Sequence, residues 1–307
     1  MTQASKKTSQ KPSHASAVKR IDYAAQSSAA KGVANPLQPA RFYDTVASDD
    51  QLPSDGLAEV AFVGRSNAGK SSAINALTIQ HKLAYVSKMP GRTQHLNYFS
   101  IPYTARMAQA GMAAPVDAPA MIKLPEAHER SAPYVTTAEK AACLGYLVDL
   151  PGYGYARVGQ HMKSHWSGFL TNYITGRQVL AGIVWLMDCR HAMTDIDLEF
   201  LTLLEGRPVM LLLTKTDKLN QSDRAKIVTE TRNQLHAAQA AIAGIAIEHV
   251  PVPLVVAFSS VARTGQAQAV AQIANWLNIQ TVATPSVPVE SIPTASPSAA
   301  PESPATH

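Results

Sequence analysis

Residues 64–71 have the types and spacing of a phosphate-binding loop. They match the pattern G-x-x-x-x-G-K-[ST] and lie between a predicted strand and a predicted helix. Glycines let the backbone N–H groups turn inward around phosphate oxygens, and the N-terminus of the following helix adds a favourable dipole. A chance glycine-rich turn is the alternative, which the flanking strand and helix disfavour. The loop reads Gly64, Arg65, Ser66, Asn67, Ala68, Gly69, Lys70 and Ser71.

Two of these side chains have specific roles in such a loop. The Lys70 ammonium group can reach the β- and γ-phosphates, and the Ser71 hydroxyl can ligate Mg²⁺. The pattern therefore predicts a site for a nucleoside triphosphate together with a magnesium ion.

A second polar group follows a later apolar strand and can select the base. A carboxylate at Asp217 can accept hydrogen bonds from N1–H and the 2-amino group of guanine, and adenine offers neither donor. Alone, a Lys-x-Asp turn is weak evidence, but downstream of a P-loop it predicts a guanine site. The residues concerned are Thr214, Lys215, Thr216 and Asp217, with Phe258, Ser259 and Ser260 after the last strand predicted to buttress the ring.

Two further segments match nucleotide switches. The first lies between the P-loop helix and the second strand, where Thr93 is the candidate for a second protein ligand of Mg²⁺. The second follows the third strand as D-x-x-G, with Asp149 holding Mg²⁺ and the Gly152 N–H facing the γ-phosphate. An ordinary polar loop and a strand-ending Pro-Gly turn are the alternatives, which the order of the motifs disfavours. The predicted contacts are Gly91, Arg92, Thr93, Gln94 and His95 in the first segment and Asp149, Leu150, Pro151 and Gly152 in the second.

These assignments define a small catalytic and metal-binding set. Lys70, Thr93 and Gly152 are predicted to act on the γ-phosphate, and the predicted magnesium ligands are Ser71, Thr93 and Asp149.

The elements around these motifs alternate between strands and helices. Six apolar runs predict strands at 59–63, 96–101, 144–150, 179–187, 208–213 and 254–258. Helices are predicted at 70–77, 161–175, 195–204, 222–240 and 266–277, with Thr194 and Ser222 as N-caps of the third and fourth. Continuous apolar strands between helices predict a three-layer α/β P-loop domain, with a mostly parallel six-stranded sheet and one antiparallel edge strand.

Composition divides the 307-residue chain into three parts. Residues 1–40 form a predicted disordered basic tail, residues 41–281 the nucleotide-binding domain, and residues 282–307 a disordered tail rich in Pro, Ser and Ala. Residues 102–142 are predicted to be an inserted surface loop. Residues 1–41 carry seven basic residues and one acid, which suits either contact with a polyanion such as RNA or simple solubility.

Several classes of protein are disfavoured. No apolar run approaches the roughly 20 residues of a membrane span, and no apolar signal-peptide core follows Met1. The two cysteines, Cys143 and Cys189, give neither a disulfide framework nor a metal-ligand spacing. We therefore expect a cytoplasmic protein without membrane contact, and a monomer.

In combination, these motifs resemble the EngB (YsxC) family of bacterial ribosome-biogenesis GTP-binding proteins, within the Era-like GTPases. The resemblance covers about residues 42–279 and rests on 64–72, 90–94 and 148–156, on Thr214 in place of the commoner Asn, and on 186–191. It implies a single G domain, Mg²⁺-dependent GTP binding and hydrolysis, a role in assembling the large ribosomal subunit, and an association with cell division and septation.

Three positions qualify the resemblance. His95 stands where the family usually has an aliphatic residue. Tyr153 occupies the position after the D-x-x-G glycine, where many GTPases have a water-orienting Gln, so intrinsic hydrolysis is expected to be slow. Asn67 resembles the potassium-coordinating Asn of related GTPases, and its alternative role is to stabilise the loop.

Three functional hypotheses remain open at this point. The first is a GTP-dependent switch in ribosome assembly. The second keeps the GTP site but serves another RNA or signalling partner. The third is an RNA-binding protein whose basic tail dominates and whose GTP site is regulatory.

Overall fold

The computed structural model describes residues 35–84, 95–112, 142–154 and 168–279. Within these ranges the chain forms one seven-stranded sheet covered by helices on both faces. The strands are β1 (Arg41–Val46), β2 (Glu59–Gly64), β3 (Leu96–Pro102), β4 (Cys143–Asp149), β5 (Leu180–Asp188), β6 (Val209–Thr214) and β7 (Leu254–Ala257). The helices are α1 (Lys70–Leu77), α2 (Ala105–Gln109), α3 (Gly168–Gly176), α4 (Asp195–Leu201), α5 (Gln221–Ala243) and α6 (Gln266–Trp276).

The sheet is mostly parallel, as predicted. Its strand order is β1-β3-β4-β2-β5-β6-β7, and the pairings from β4 to β7 are all parallel. Strand β3 runs antiparallel to both of its neighbours, so the antiparallel pairs lie at one edge. The predicted count of six strands was one too low, because β1 adds a seventh at that edge. Its sequence, Arg-Phe-Tyr-Asp-Thr-Val, lacks the apolar run of a central strand, since an edge strand pairs on one side only.

Alternate residues of the central strands fill the two halves of the core. In β2, Val60 and Phe62 face α1 and α6, while Ala61 and Val63 face the layer of α3, α4 and α5. Because both faces are covered, nearly every strand position is apolar, which explains the continuous runs in the sequence. The three-layer architecture is therefore confirmed.

The helix ends lie within three residues of the predicted ones, apart from the start of α3. Helix α4 has the predicted Thr194 as its N-cap, and the Thr194 backbone N–H donates to Asp197 Oδ2 at 2.9 Å in a capping box. Helix α5 begins one residue earlier than predicted, and Asn220, not Ser222, caps it by accepting from the Asp223 N–H at 2.8 Å. Residues 161–167 of the predicted helix at 161–175 lie outside the described residues.

The described domain extends beyond two predicted boundaries. Residues 35–40, assigned above to the basic tail, pack on the domain: Leu37 is fully buried, and Asn35 Nδ2 donates to the Leu77 carbonyl at 2.7 Å. The first part of the predicted insertion at 102–142 forms helix α2, which Thr104 caps. Met107 and Met112 are buried in a small cluster with Ala142. Residues 113–141 lie outside the described residues. No helix in the described ranges combines the length and apolar character needed to cross a membrane.

Candidate functional site

The predicted P-loop connects β2 to α1 at the end of the sheet where the parallel strands finish. Two of its glycines are required by geometry. A Cβ on Gly64 would lie 2.5 Å from the Leu186 carbonyl oxygen, and Gly69 has a φ of +92°, a conformation that side chains disfavour. Asn67 also has a positive φ, of +64°, which Asn tolerates better than most residues, and it is exposed. The backbone therefore curls immediately before α1, as a phosphate-binding loop requires.

Lys70 and Asp149 meet in the centre of this end of the sheet. The Lys70 ammonium group forms an ion pair with Asp149 Oδ1, and their side chains are 15% and 10% exposed, respectively. Lys70 begins α1 and Asp149 ends β4, so two motifs separated along the chain converge. The pair is mostly buried, and only a small part of each side chain reaches solvent.

The D-x-x-G segment lies directly against the P-loop. The Tyr153 N–H donates to the Gly64 carbonyl at 3.2 Å, and the Ser66 N–H donates to the Tyr153 carbonyl at 3.3 Å. A Cβ on Gly152 would lie 3.1 Å from both the Ser66 nitrogen and its Oγ. Leu150 and Pro151 are buried, whereas Gly152 is exposed, so the Gly152 backbone borders the open side of the loop.

The segment after β6 also contacts the P-loop. Thr214 Oγ1 donates to the Ala68 carbonyl at 2.7 Å, and Lys215 Nζ donates to the Asn67 carbonyl at 2.9 Å. Lys215 itself has a φ of +60°. These two bonds fix the predicted base-reading segment relative to the phosphate-binding loop.

The structure brings together the residues that the sequence predicts to bind the base. Ser259 Oγ donates to Asp217 Oδ1 at 2.7 Å, and this hydrogen bond holds the pKa of Asp217 below its usual value. Thr216 is buried and its hydroxyl donates to the Phe258 carbonyl at 3.0 Å, so the loops after β6 and β7 form one unit. Ser260 follows in the same turn and is half-buried.

The first predicted switch is mostly outside the described part of the chain. Gly91, Arg92, Thr93 and Gln94 fall there, so the predicted second magnesium ligand has no described position. His95 is described and exposed, immediately before β3.

Sequence reasoning gave no role to Asp188 at the end of β5. Its Oδ2 lies 3.0 Å from Lys215 Nζ, and Arg190 donates to both of its carboxylate oxygens. The hydrogen bonds from Arg190, and then Lys215, hold the pKa of Asp188 well below its usual value. The sequence could have indicated this position, because Asp188 follows an apolar parallel strand, as Asp149 does, so both lie at the same end of the sheet.

The oxygen donors at this site fit a magnesium ion that is also bound by phosphates and water. Those that the structure describes are too few to hold a metal ion without a nucleotide. No group of three or more His, Cys, Asp or Glu side chains suited to a metal occurs in the described ranges. Asp149 supplies one carboxylate and Ser71 one half-buried hydroxyl, both hard oxygen donors. Magnesium is usually bound by one or two carboxylates together with substrate phosphates and water, so these residues suit a nucleotide-bound ion.

Comparisons with known proteins agree with this geometry. The family model described as "50S ribosome-binding GTPase" matches residues 59–215. A probable GTP-binding protein EngB of Cupriavidus taiwanensis is 43% identical over 246 residues, covering 79% of this chain and 87% of the relative. The EngB of Ralstonia nicotianae is 40% identical, covering 83% and 93% of the two chains, and that of Bordetella pertussis is 40% identical, covering 80% and 98%.

A crystal structure of a probable GTP-binding protein EngB is also similar to this chain. It is 16% identical, covers 72% of this chain and all but 1% of its own length, and has a TM-score of 0.40. The sequence matches, which span most of both chains, establish the relationship: this chain is a GTPase that belongs to the EngB family of GTP-binding proteins.

Proposed function

We propose that this GTPase acts as a nucleotide-dependent switch in the assembly of the large ribosomal subunit, in the cytoplasm, and that it supports normal cell division through that role. The observation that carries the proposal is the convergence of the P-loop, the D-x-x-G segment and the segment after β6 at one end of the sheet, in a chain whose residues 59–215 match a family model described as a 50S ribosome-binding GTPase. In such switches, loops beside the γ-phosphate change their order when it is lost, and a partner senses the change.

In this proposal, each segment of the site binds a different part of the nucleotide. The backbone of residues 64–71 binds the phosphates, Lys70 neutralises the β- and γ-phosphates, and the Asp217 carboxylate binds guanine. Ser71 and Asp149 would hold Mg²⁺, and Thr93, which lies outside the described residues, would be the further ligand. When bound, the ion supplies positive charge to the transferring phosphoryl group.

Tyr153 supports the expectation of slow intrinsic hydrolysis. Its side chain points into the core, where the hydroxyl donates to Asp197 Oδ1 at 2.7 Å, so it does not reach the γ-phosphate side of the loop. We therefore propose that the ribosomal partner, or a potassium ion beside Asn67, accelerates the reaction. The potassium hypothesis predicts faster hydrolysis in K⁺ than in Na⁺ at equal ionic strength, with the difference lost in Asn67→Ala.

Co-sedimentation with large-subunit precursors tests the function directly. We expect the full chain to bind the particles with a non-hydrolysable GTP analogue and to release them with GDP. Lys70→Ala, which should bind nucleotide poorly, serves as the control and should show no difference between the two nucleotides. Failure of the protein to bind large-subunit precursors in either state would contradict the proposal.

The same experiment separates the competing functions. If binding to RNA is equal with GTP and GDP and disappears when residues 1–34 are removed, the basic tail is the binding element and the GTP site is regulatory. If nucleotide-dependent binding occurs only with another class of RNA or protein, the switch acts on a different partner.

A further inference from the structure

A continuous series of hydrogen bonds connects the segment after β4 with the P-loop by way of helix α4. Trp185 Nε1 donates to the Tyr153 hydroxyl at 2.6 Å, and that hydroxyl donates to Asp197 Oδ1 at 2.7 Å. On the other side of the carboxylate, Thr194 Oγ1 donates to Asp197 Oδ2 at 2.8 Å and accepts from Arg65 Nη1 at 3.3 Å. The series therefore runs from the buried Trp185 through Tyr153, which follows the D-x-x-G segment, to Arg65 in the P-loop.

The direction of each bond is fixed by chemistry. Each hydroxyl in the series accepts one hydrogen bond and donates one, while both oxygens of Asp197 accept. Asp197 is fully buried, and its remaining donor is the Thr194 backbone N–H at 2.9 Å. Burying a carboxylate is costly unless donors surround it, so removing one donor destabilises the whole arrangement. Burial, and then the Asp197 charge, raises the pKa of Tyr153 well above its usual value, so its hydroxyl remains a donor.

The Tyr153 backbone transmits this constraint to the nucleotide side. Its N–H and carbonyl pair with Gly64 and Ser66 of the P-loop, and the preceding residue, Gly152, lies in close contact with Ser66. The Tyr153 ring also stacks on Phe200 at 4.3 Å between ring centroids. A side chain held in this way leaves the peptide group before it little freedom to rotate.

We infer that Tyr153 and Asp197 are positioning residues that hold the Gly152 N–H in the direction required for the γ-phosphate. The inference rests on the proposed role of Gly152. Since GDP lacks the γ-phosphate, the hydrogen-bonded series should influence the preference for GTP over GDP while leaving the base and the other phosphates unaffected. Simple core packing would instead contribute stability alone.

A pair of identical substitutions separates these two roles. Tyr153→Phe and Tyr173→Phe each remove a hydroxyl that donates to a fully buried carboxylate, that of Asp197 or Glu59, within the same half of the core. We expect Tyr153→Phe to weaken binding of a non-hydrolysable GTP analogue about tenfold while changing GDP binding less than twofold. Tyr173→Phe should lower the melting temperature and leave the ratio of the two affinities unchanged. Equal changes for the two nucleotides in Tyr153→Phe would overturn the inference.

Two further variants keep the result decisive. Gly152→Ala should lower affinity for the GTP analogue more than affinity for GDP, although its Cβ would also press on Ser66 of the P-loop; if affinity for the analogue does not fall more, the assignment of Gly152 itself is wrong. If Gly152→Ala behaves as expected and Tyr153→Phe does not, only the positioning inference fails. Should Tyr153→Phe not fold, Thr194→Val at the half-buried helix cap removes the contact with Arg65, and a loss of about threefold in GTP preference is expected. An unchanged preference in that variant would also overturn the inference.

Discussion

The two ends of the central sheet use similar charged residues in opposite ways. Where the parallel strands finish, Lys70 at the start of α1 pairs with Asp149 at the end of β4. Where they begin, Glu59 is fully buried and accepts from Arg177 Nη2 at 2.6 Å and from the Tyr173 hydroxyl at 2.8 Å. Tyr98 donates to the same carboxylate at 3.2 Å.

The difference lies in where the donors point. Around Glu59 every donor points inward to one carboxylate, and Arg177 also binds the Pro53 carbonyl, so the network is satisfied by the protein itself. Burial, and then the Glu59 charge, raises the pKa of Tyr98 above its usual value, which keeps its hydroxyl a donor. Near Lys70, the P-loop residue Asn67 and the D-x-x-G residue Gly152 are exposed to solvent. An ion pair therefore indicates a binding site only when neighbouring groups remain available to a ligand.

The largest expected effect comes from Lys70→Ala. Removing the cation that faces the transferring phosphoryl group should lower the rate of GTP hydrolysis about 10²- to 10³-fold. Because both side chains of the pair with Asp149 are mostly buried, the variant should also lower the free energy of unfolding. Single-turnover hydrolysis and urea unfolding measure the two quantities. A large loss of stability with hydrolysis intact would show that the pair is structural, like that of Glu59.

Glu59→Gln is expected to change stability and to leave nucleotide binding intact. Breaking a buried pair by neutralising one partner should reduce the free energy of unfolding by about 3 kcal/mol, because Arg177 loses its counter-charge. GTP affinity, measured by titration calorimetry well below the melting temperature, should stay within about twofold. A twofold change corresponds to only about 0.4 kcal/mol of binding free energy.

An exposed ion pair supplies the matched control for Glu59→Gln. Glu230 lies 3.9 Å from Lys226 on α5, and both side chains are more than half exposed. Glu230→Gln should leave unfolding unchanged within error. If the two variants were equally stable, burial of Glu59 would not be the reason for its contribution.

A smaller effect on stability is expected from shortening the chain at its N-terminus. A chain beginning at residue 35 keeps Leu37 in the core, whereas one beginning at residue 41 loses it. Burying a leucine side chain stabilises by about 1.5–3 kcal/mol, so the shorter chain should unfold at lower urea concentration. Both should bind GTP alike. Equal stability of the two chains would support the predicted boundary at residue 41 over the packed segment described here.

Local patterns in the sequence predicted most elements and the phosphate-binding loop. The strands before Gly64, Asp149 and Thr214 were visible as apolar runs, and the residues that follow them had the spacing of nucleotide motifs. Strand β1 was missed because its polar edge sequence has no such run.

The hydrogen-bonded networks were also missed, for a different reason. Arg177 meets Glu59 across 118 residues of sequence, and Tyr153 meets Asp197 across 44. The spacing of apolar residues indicates which face of a helix or strand a residue occupies. The hydrogen-bond partner of a residue more than 40 positions away depends instead on the order of the strands in the sheet. The partners of Glu59 and Tyr153 therefore could not be predicted from the sequence around these two residues.

Base selection by Asp217 tests the central claim most directly. Since Ser259 keeps the pKa of Asp217 below its usual value, the carboxylate is ionised from pH 5 to 8, and its contribution should be lost only as the pH falls through that lowered pKa. Asp217→Asn should weaken GTP binding by on the order of 1.5–3 kcal/mol, roughly 10- to 100-fold. Binding of xanthosine triphosphate, whose 2-position is a carbonyl, should improve in the same variant. Unchanged GTP affinity in Asp217→Asn would contradict the placement of the guanine site at this end of the sheet.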